Sequence, residues 1–191
     1  MNFDLAAARR EGAKMRHHSR LVLLVMAVTV VVGCTARYDV ANLSGGSTPR
    51  LDRAKVVYVA IPQDGAYGSR PYAGSGQSVA QAVAAAFSGL ASRVHIAERR
   101  AESDASAVTA AKSIGAGYVA VPVIAHWEQR NTAWSGIPSR MAIRLTIIDA
   151  ETGNQITSSA IEGRSRIMSW TATSPDSLLR EPVSQYVREL Y

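Results

Sequence analysis

The stretch YVAVPVIAHWEQ, residues 118–129, decides the fold that the sequence predicts, because its first half is apolar at every position. A strand that is apolar on both faces is typical of the middle of a sheet that helices cover on both sides. We therefore predict that residues 118–129 form a central strand.

The segments that precede this strand alternate between strand and helix patterns. Residues 55–61 (KVVYVAI) and 93–98 (RVHIAE) predict short strands, while residues 78–91 and 103–117 have the spacing and composition of helices. We expect Ser75 or Ser78 to cap the first helix, and Gly115 or Gly117 to end the second. The order strand–helix–strand–helix–strand predicts right-handed parallel crossovers.

The segments that follow predict an antiparallel meander and a last helix. Residues 139–163 alternate apolar and polar side chains, and Gly153 lies in a turn over residues 149–154. A helix follows Pro175, and we expect Pro182 to divide it into one turn and a helix that starts at residue 181 or 182. The predicted class is α/β: a single domain with a mixed sheet, βαβαβ followed by the meander and a C-terminal helix, after an N-terminal signal helix.

The N-terminus reads as a secretory signal over residues 1–33. A basic leader precedes the apolar run LVLLVMAVTVVV (21–32), which is followed directly by Gly33 and Cys34. Val31-Val32-Gly33-Cys34 resembles the lipobox of bacterial lipoproteins, and the resemblance implies that Cys34 is acylated and anchors the mature chain to a membrane. The alternative is an uncleaved anchor, although the uncharged stretch 21–36 is slightly short of the roughly 17–25 residues of a spanning helix.

The segment after Cys34 predicts a flexible tether. Residues 34–54 contain Gly, Ser, Thr and Pro without apolar periodicity, so we place the folded domain at residues 55–191. Thr35 stands where aspartate favours inner-membrane retention in well-studied lipoproteins, and the resemblance therefore implies an outer-membrane protein that faces the periplasm.

Charge and cysteine content exclude two further classes. The chain has a net charge of +6, but from Cys34 onward it carries 16 Lys and Arg against 13 Asp and Glu, a net of +3. These charges are interspersed, whereas nucleic-acid binding needs basic residues clustered on one face, so we expect no nucleic-acid partner. One cysteine cannot form an intrachain disulfide.

The stretch HWEQRNTAWSG, residues 126–136, concentrates candidate functional side chains. Strand alternation puts His126, Glu128 and Arg130 on one face and Trp127 on the other, and Arg140 and Arg144 of the next strand can join the charged row.

A hydrolase would use Ser135 as nucleophile, His126 as base and Glu128 to orient the base. However, the chain has no G-x-S-x-G elbow, and a hairpin tip has no helix N-terminus for an oxyanion hole. We favour an interaction surface, since Trp and Arg dominate protein–protein hot spots; its members are His126, Trp127, Glu128, Arg130, Trp134 and Arg140.

A second candidate is the glycine-rich loop over residues 66–78. Its backbone amides precede a helix and can bind an anion or a nucleotide-like ligand, and the residues concerned are Arg70, Tyr72, Gly74, Ser75 and Gly76. Neither the Walker pattern nor the dinucleotide fingerprint is complete, so we favour a loop that packs Tyr67 and Tyr72 over the sheet edge. Only His95 and His126 follow Cys34, which leads us to expect no metal and no cofactor.

Four stretches of the domain resemble the bacterial lipoprotein family DUF4823, a domain of unknown function. They are IPQDGAYGSRPYAGSGQSVAQAVAAAF, YVAVPVIAHWEQRNTAWSGIPSR, LTIIDAETGNQI and SPDSLLREPVSQYV, and they span nearly all of residues 55–191. The order of strands and helices is also similar to that of small α/β domains in outer-membrane lipoproteins that serve envelope assembly. These resemblances imply a periplasmic lipoprotein that binds an envelope protein and has no catalytic activity.

Overall fold

A mixed sheet and three helices make up the folded chain in a computed structural model that describes residues 36–45, 49–129, 137–165 and 174–191. The described elements, in chain order, are β1 (Arg37–Asn42), β2 (Val56–Val59), β3 (Ala66–Tyr67), β4 (Arg70–Pro71), α1 (Ser75–Phe87), β5 (Arg93–Ile96), α2 (Asp104–Ser113), β6 (Tyr118–Glu128), β7 (Arg140–Asp149), β8 (Gln155–Arg164) and α3 (Pro175–Glu189).

The parallel part of the sheet confirms the predicted crossovers. The six strands of the main sheet lie in the order β1-β8-β7-β6-β2-β5, and β2 pairs in parallel with both β5 and β6. Helix α1 connects β2 to β5, and helix α2 connects β5 to β6. Gly115 ends α2 with a positive φ of 70°, as predicted, because a left-handed residue lets the following amides bind the last helical carbonyls.

The antiparallel part confirms the predicted meander. β6 pairs with β7 and β7 with β8, and the connecting turn places Gly153 at a φ of 74°. Residues at alternate positions of β7 are buried: Met141, Ile143, Leu145 and Ile147. The period-two pattern therefore sets which face of the strand meets the core.

The two faces of the sheet are covered unequally. Helices α1 and α3 pack on one face, where Phe87, Leu178 and Leu179 join the buried side chains of β6, β7 and β8 in the larger core. Helix α2 lies on the other face, where Ala107 and Ala111 contact a smaller core. The smaller core also contains Val119 and Val121 of β6 and Ile148 at the end of β7.

The first strand corrects the prediction of a flexible tether over residues 34–54. β1 pairs antiparallel with β8, from Arg37 opposite Arg164 to Asn42 opposite Ser159. The segment around Leu51 is also ordered, because the Leu51 amide donates to the carbonyl of Leu190 at 2.6 Å and the Leu51 side chain is buried. Backbone pairing with β8 orders a segment whose side chains give no periodic signal.

The helices differ from prediction at two points. α3 continues through Pro182 instead of breaking there, since Pro182 is buried and the flanking apolar side chains hold both halves against the sheet. α1 begins at Ser75 after Gly74, whose φ is 85°, and neither Ser75 nor Ser78 caps it. The cap comes from a distant side chain, which is described with the candidate site.

Hydrogen exchange distinguishes a paired β1 from a tether. We expect amides in residues 37–43 to exchange more slowly than those of the irregular segment 98–102, because the Leu43 amide and its neighbours in the ladder donate to β8. Exchange measured by mass spectrometry on overlapping peptides checks this. Equal, fast exchange in both segments would contradict the pairing.

Candidate functional site

A β-bulge in β6 decides which side chains of the candidate surface reach solvent. The pairing of β6 with β7 is regular from Tyr118 to Ile124 and resumes at His126, so that Ala125 is an extra residue. Without it, strict alternation would place His126 on the same face as Ile124. The bulge turns Trp127 toward the larger core and His126 and Glu128 toward the opposite face.

His126 and Glu128 form a hydrogen-bonded pair on that opposite face. The Nε2 atom of His126 lies 3.2 Å from an Oε atom of Glu128, and the side chains are 38% and 6% exposed, respectively. The ring of Tyr67 lies edge-on to the imidazole, with ring centroids 5.6 Å apart. The prediction that His126 and Glu128 share a face is confirmed, and the pair is held rigidly beneath an aromatic ring.

Trp127 is a core residue, which corrects its place in the predicted interaction surface. It is 2% exposed and packs among the side chains of the larger core. Gly65 approaches it so closely that a Cβ at position 65 would lie 2.6 Å from the Cβ of Trp127. A side chain so enclosed cannot contact a partner.

The face that carries His126 is open over β6, β7, β8 and β1. The charged or exposed side chains that alternate with the buried ones fall there, and within the described residues no helix packs on them. We call this surface the open face; its charged members in the described strands are Arg37, Asp39, His126, Glu128, Arg140, Arg144, Glu162 and Arg164. Sequence reasoning identified only the β6 and β7 members, because β1 was not recognised and β8 shows its alternation weakly.

The two candidate stretches of the sequence lie side by side. β3 and β4 form a small antiparallel ribbon, and β3 contacts β6 beyond the point where β2 ends. The amide of Gln129 donates to the hydroxyl of Tyr72 at 3.3 Å. Tyr67 and Tyr72 therefore pack along this edge of the sheet, as the preferred interpretation of the glycine-rich loop predicted.

The amides of that loop are already bound by a carboxylate of the protein. Asp64 accepts from the amide of Gly76 at 2.7 Å and from the amide of Gly74 at 3.2 Å. These bonds, the one from Gly76 above all, hold the pKa of Asp64 below its usual value, and burial opposes them. A Cβ at Gly76 would also lie 2.4 Å from the carbonyl oxygen of Pro62. The alternative interpretation of the loop, an anion site, needs free amides at the start of α1, and these two are engaged.

Ser75, another member of the predicted ligand loop, is likewise used inside the protein. Its hydroxyl donates to the carbonyl of Tyr72 at 2.7 Å and accepts from the amide of Gly65 at 2.8 Å. Arg70 is exposed and lies over the ring of Tyr72, 5.4 Å from its centroid. The loop is thus fastened internally, and Arg70 alone of the predicted set presents a charge to solvent.

A cavity of about 460 Å³ opens at the carboxyl ends of the parallel strands, where ligands bind in many open α/β sheets. Asp64, Arg100 and Ser103 are among the residues that line it. Asp64 is committed to α1, and Ser103 caps α2 by accepting from the amide of Ser106. Arg100 also lines the cavity, and its charge helps to lower the pKa of Asp64.

Several predicted site residues lie outside the described part of the chain: Cys34, Arg130, Trp134 and Ser135. Their roles in anchoring, recognition or hydrolysis stay predictions. In the described ranges, no three His, Cys, Asp or Glu side chains are grouped as metal ligands would be, and no helix there has the length and apolarity to cross a bilayer.

The fold defines a single α/β domain with a mixed six-stranded sheet. The family model for DUF4823, a domain of unknown function, matches residues 49–190, and the chain belongs to this family. No match was found among curated proteins.

Solved structures share this fold. PelC from Paraburkholderia phytofirmans, described as a dodecamer, aligns with a TM-score of 0.61 and 20% identity over 81% of this chain and 97% of PelC. A single-substitution variant of PelC, also a dodecamer, aligns with a TM-score of 0.59 and 18% identity over 82% and 98% of the two chains. The lipoprotein GNA1162 from Neisseria meningitidis gives a TM-score of 0.46 and 16% identity over 71% and 97%. At these identities the PelC comparisons establish the fold alone.

Substitution of Asp64 tests the remote cap of α1. Asp64→Asn leaves one acceptor oxygen for two amides, and we expect a loss of about 1 kcal/mol in the free energy of unfolding at neutral pH. Because the folded-state pKa of Asp64 is lowered, its stabilising effect is complete above the ordinary Asp pKa of about 4 and is lost as the pH falls through the folded value.

Urea denaturation of wild type and variant at several pH values measures the effect. The difference should shrink in acid. Asp176→Asn is the matched control, since Asp176 is exposed in the first turn of α3 and the structure shows no cap bond to it, so this change should stay within about 0.5 kcal/mol. Equal effects of the two substitutions would show that Asp64 does not cap α1.

Proposed function

We propose that this protein is a lipid-anchored envelope protein that acts by binding a protein partner and not by catalysis. The observation that carries the proposal is the position of Cys34. It is the only cysteine of the chain, it follows directly on the apolar run 21–32, and it stands three residues before β1. This is where a lipoprotein carries its acyl chains.

We expect a lipid on Cys34 to hold the domain on the periplasmic side of the outer membrane. Thr35 supplies no inner-membrane retention signal of the aspartate type. Removal of residues 1–33 also brings the net charge down to +3, which suits a protein that avoids nonspecific binding to polyanions.

The open face is the surface that meets the partner. Its strands pair continuously from β6 to β1, so it is rigid, and Arg140 and Arg144 project from it at exposed positions. Val123, 39% exposed, adds an apolar contact beside Arg144. Arginine next to apolar surface is the composition of interface centres. His126 and Arg140 keep their proposed roles in this surface, and Arg130 and Trp134 complete the sequence-based set. Glu128 is buried and supports His126, which corrects its predicted place as a contact residue.

A hydrolase using His126, Glu128 and Ser135 is the less favoured alternative. In a serine hydrolase the imidazole joins the carboxylate and the nucleophile. Here the Nε2 atom of His126 is engaged with Glu128, and in the described ranges no serine or threonine hydroxyl is hydrogen-bonded to the ring. The pair is better explained as support for the surface around it.

The first partner to examine is a second copy of the chain. PelC, which shares the fold, forms a dodecamer. β1 and β5 are the outer strands of the main sheet, so each leaves one edge of backbone donors and acceptors that the sheet does not use. Self-association and binding of a different envelope protein are both compatible with a rigid open face.

Intact-mass spectrometry tests the anchor. Wild-type protein from a Gram-negative host should have the mass of residues 34–191 plus acyl chains, and Cys34→Ala should remain an unprocessed, unlipidated precursor. Thr35→Ala, which keeps the cysteine, is the control and should be processed normally. A free thiol at Cys34 in the native protein would refute the proposal.

Photo-crosslinking in intact cells tests the open face. A photoreactive residue at Arg144 should capture one discrete protein, and Val123→Glu on the neighbouring strand should reduce the capture severalfold. The control position is Thr109, which is exposed on α2 and does not belong to the open face. Equal capture from both positions would contradict the proposed surface. Loss of cellular function in a folded Ser135→Ala variant with normal capture would favour hydrolysis instead.

A further inference from the structure

Three arginines stand in one row across neighbouring strands at one end of the open face. Arg37 of β1 is opposite Arg164 of β8, which is opposite Arg140 of β7. Residues in register on antiparallel strands have Cα atoms about 4.5–5.5 Å apart, so the row spans roughly 10 Å. We call these three residues the arginine row.

The arginine row is electrostatically unfavourable in isolation. Like charges directly opposite each other destabilise a sheet, and in the described part of the chain none of the three guanidinium groups forms an ion pair. All three residues are exposed. Arg37 and Arg164 line one end of a surface groove of about 290 Å³, whose other lining residues are Tyr38, Asp39 and Glu162. The row is therefore arranged to meet an anion from outside the domain.

The acidic residues of the open face begin only in the next row. Asp39 lies opposite Glu162, one pair of residues further along the strands and so about 7 Å from the arginine row. Glu128, which is opposite Arg140, is buried against His126. The arginine row thus lies nearer to this end of the sheet than the exposed carboxylates do.

The arginine row is also where the chain leaves toward Cys34. β1 begins at Arg37, three residues after Cys34, and three extended residues reach at most about 11 Å. The other end of these strands, at the β7–β8 turn, is a full strand of ten residues away. Any lipid on Cys34 must lie near the arginine row and far from that turn.

We propose that Arg37, Arg140 and Arg164 bind the phosphates of anionic phospholipids in the membrane to which Cys34 is anchored. This inference rests on the proposed function, which supplies the lipid on Cys34. Each guanidinium can bind a phosphate through two parallel hydrogen bonds, and each basic residue close to an anionic surface strengthens the contact by about fivefold. The arginine row holds this end of the sheet to the bilayer. The acidic residues of the next row and the rest of the open face lie further from the bilayer.

A fluorescent reporter on the acylated full chain tests the contact. Because lipid blocks Cys34, a second cysteine can be labelled alone. Ile137→Cys is exposed just before β7, at the end with the arginine row, and Glu151→Cys is exposed in the β7–β8 turn at the other end. The protein is reconstituted into phosphatidylcholine vesicles, with or without phosphatidylglycerol, that carry a headgroup quencher.

We expect strong quenching at position 137 and weak quenching at position 151 when phosphatidylglycerol is present. Replacing Arg37, Arg140 and Arg164 together by Gln should lower quenching at 137 to its value in pure phosphatidylcholine, and high salt should do the same to the wild type. The matched control replaces three exposed arginines away from the arginine row, Arg93, Arg99 and Arg188, by Gln, and should leave the signal unchanged.

The inference is overturned by quenching at 137 that is independent of phosphatidylglycerol and salt, or by equal losses in both triple variants. If the arginine row instead meets an acidic protein, position 137 stays unquenched in protein-free vesicles. The mass of Cys34 is read on the same sample. An unmodified Cys34 refutes the anchor, whereas an acylated Cys34 with an unquenched reporter refutes the phosphate contact alone.

Discussion

The structure depends on a mismatch in length between the two kinds of strand in its sheet. The parallel strands β2 and β5 have four residues each, whereas β6, β7 and β8 have ten or eleven. Helix α2, which covers part of one face, follows β5 and contacts β6, where its core includes Val119 and Val121. On this face, buried apolar side chains such as Val119 and Val121 lie beneath α2. Beyond the helix, the same face carries arginine and glutamate. The open face is thus a consequence of topology, because one helix cannot cover strands that extend beyond it.

The same mismatch explains the glycine-rich segment that resembled a ligand loop. Where β2 ends, β6 would expose an unpaired edge, which is a site for unwanted strand pairing. The β3–β4 ribbon lies along that edge, and Tyr72 bonds the backbone at Gln129. Asp64 ties the start of the ribbon to the first amides of α1, and Gly76 lets the backbone of Pro62 approach. Glycine is needed there because the chain packs closely on itself, which is a structural reason for the pattern that a phosphate-binding loop would also show.

The sequence predicted the elements whose side chains are periodic and missed those that depend on distant partners. The parallel strands, the meander and the helices followed from apolar spacing. β1 did not, because five of its six residues are exposed and its order comes from backbone pairing with β8. Sequence alternation put His126 and Glu128 together, but the bulge at Ala125 decided that they face away from the larger core and that Trp127 faces into it. The cap of α1 joins Asp64 to an amide twelve residues later, and no local rule at the helix start reveals it. Pro182 was expected to break α3, yet tertiary packing overrides the local penalty.

The strand that was mistaken for a tether changes what an anchor at Cys34 implies. A flexible tether of some 18 residues would have a root-mean-square length of about 20–25 Å and would allow the domain any orientation to the bilayer. With β1 paired from Arg37, only two residues remain between Cys34 and the first strand of the sheet. A ten-residue strand is about 34 Å long, so every point of β7 then lies within roughly 45 Å of the lipid. If Cys34 carries a lipid as proposed, a partner of the open face meets it close to the membrane surface. This would favour partners that are themselves bound to the membrane, including other copies of this chain.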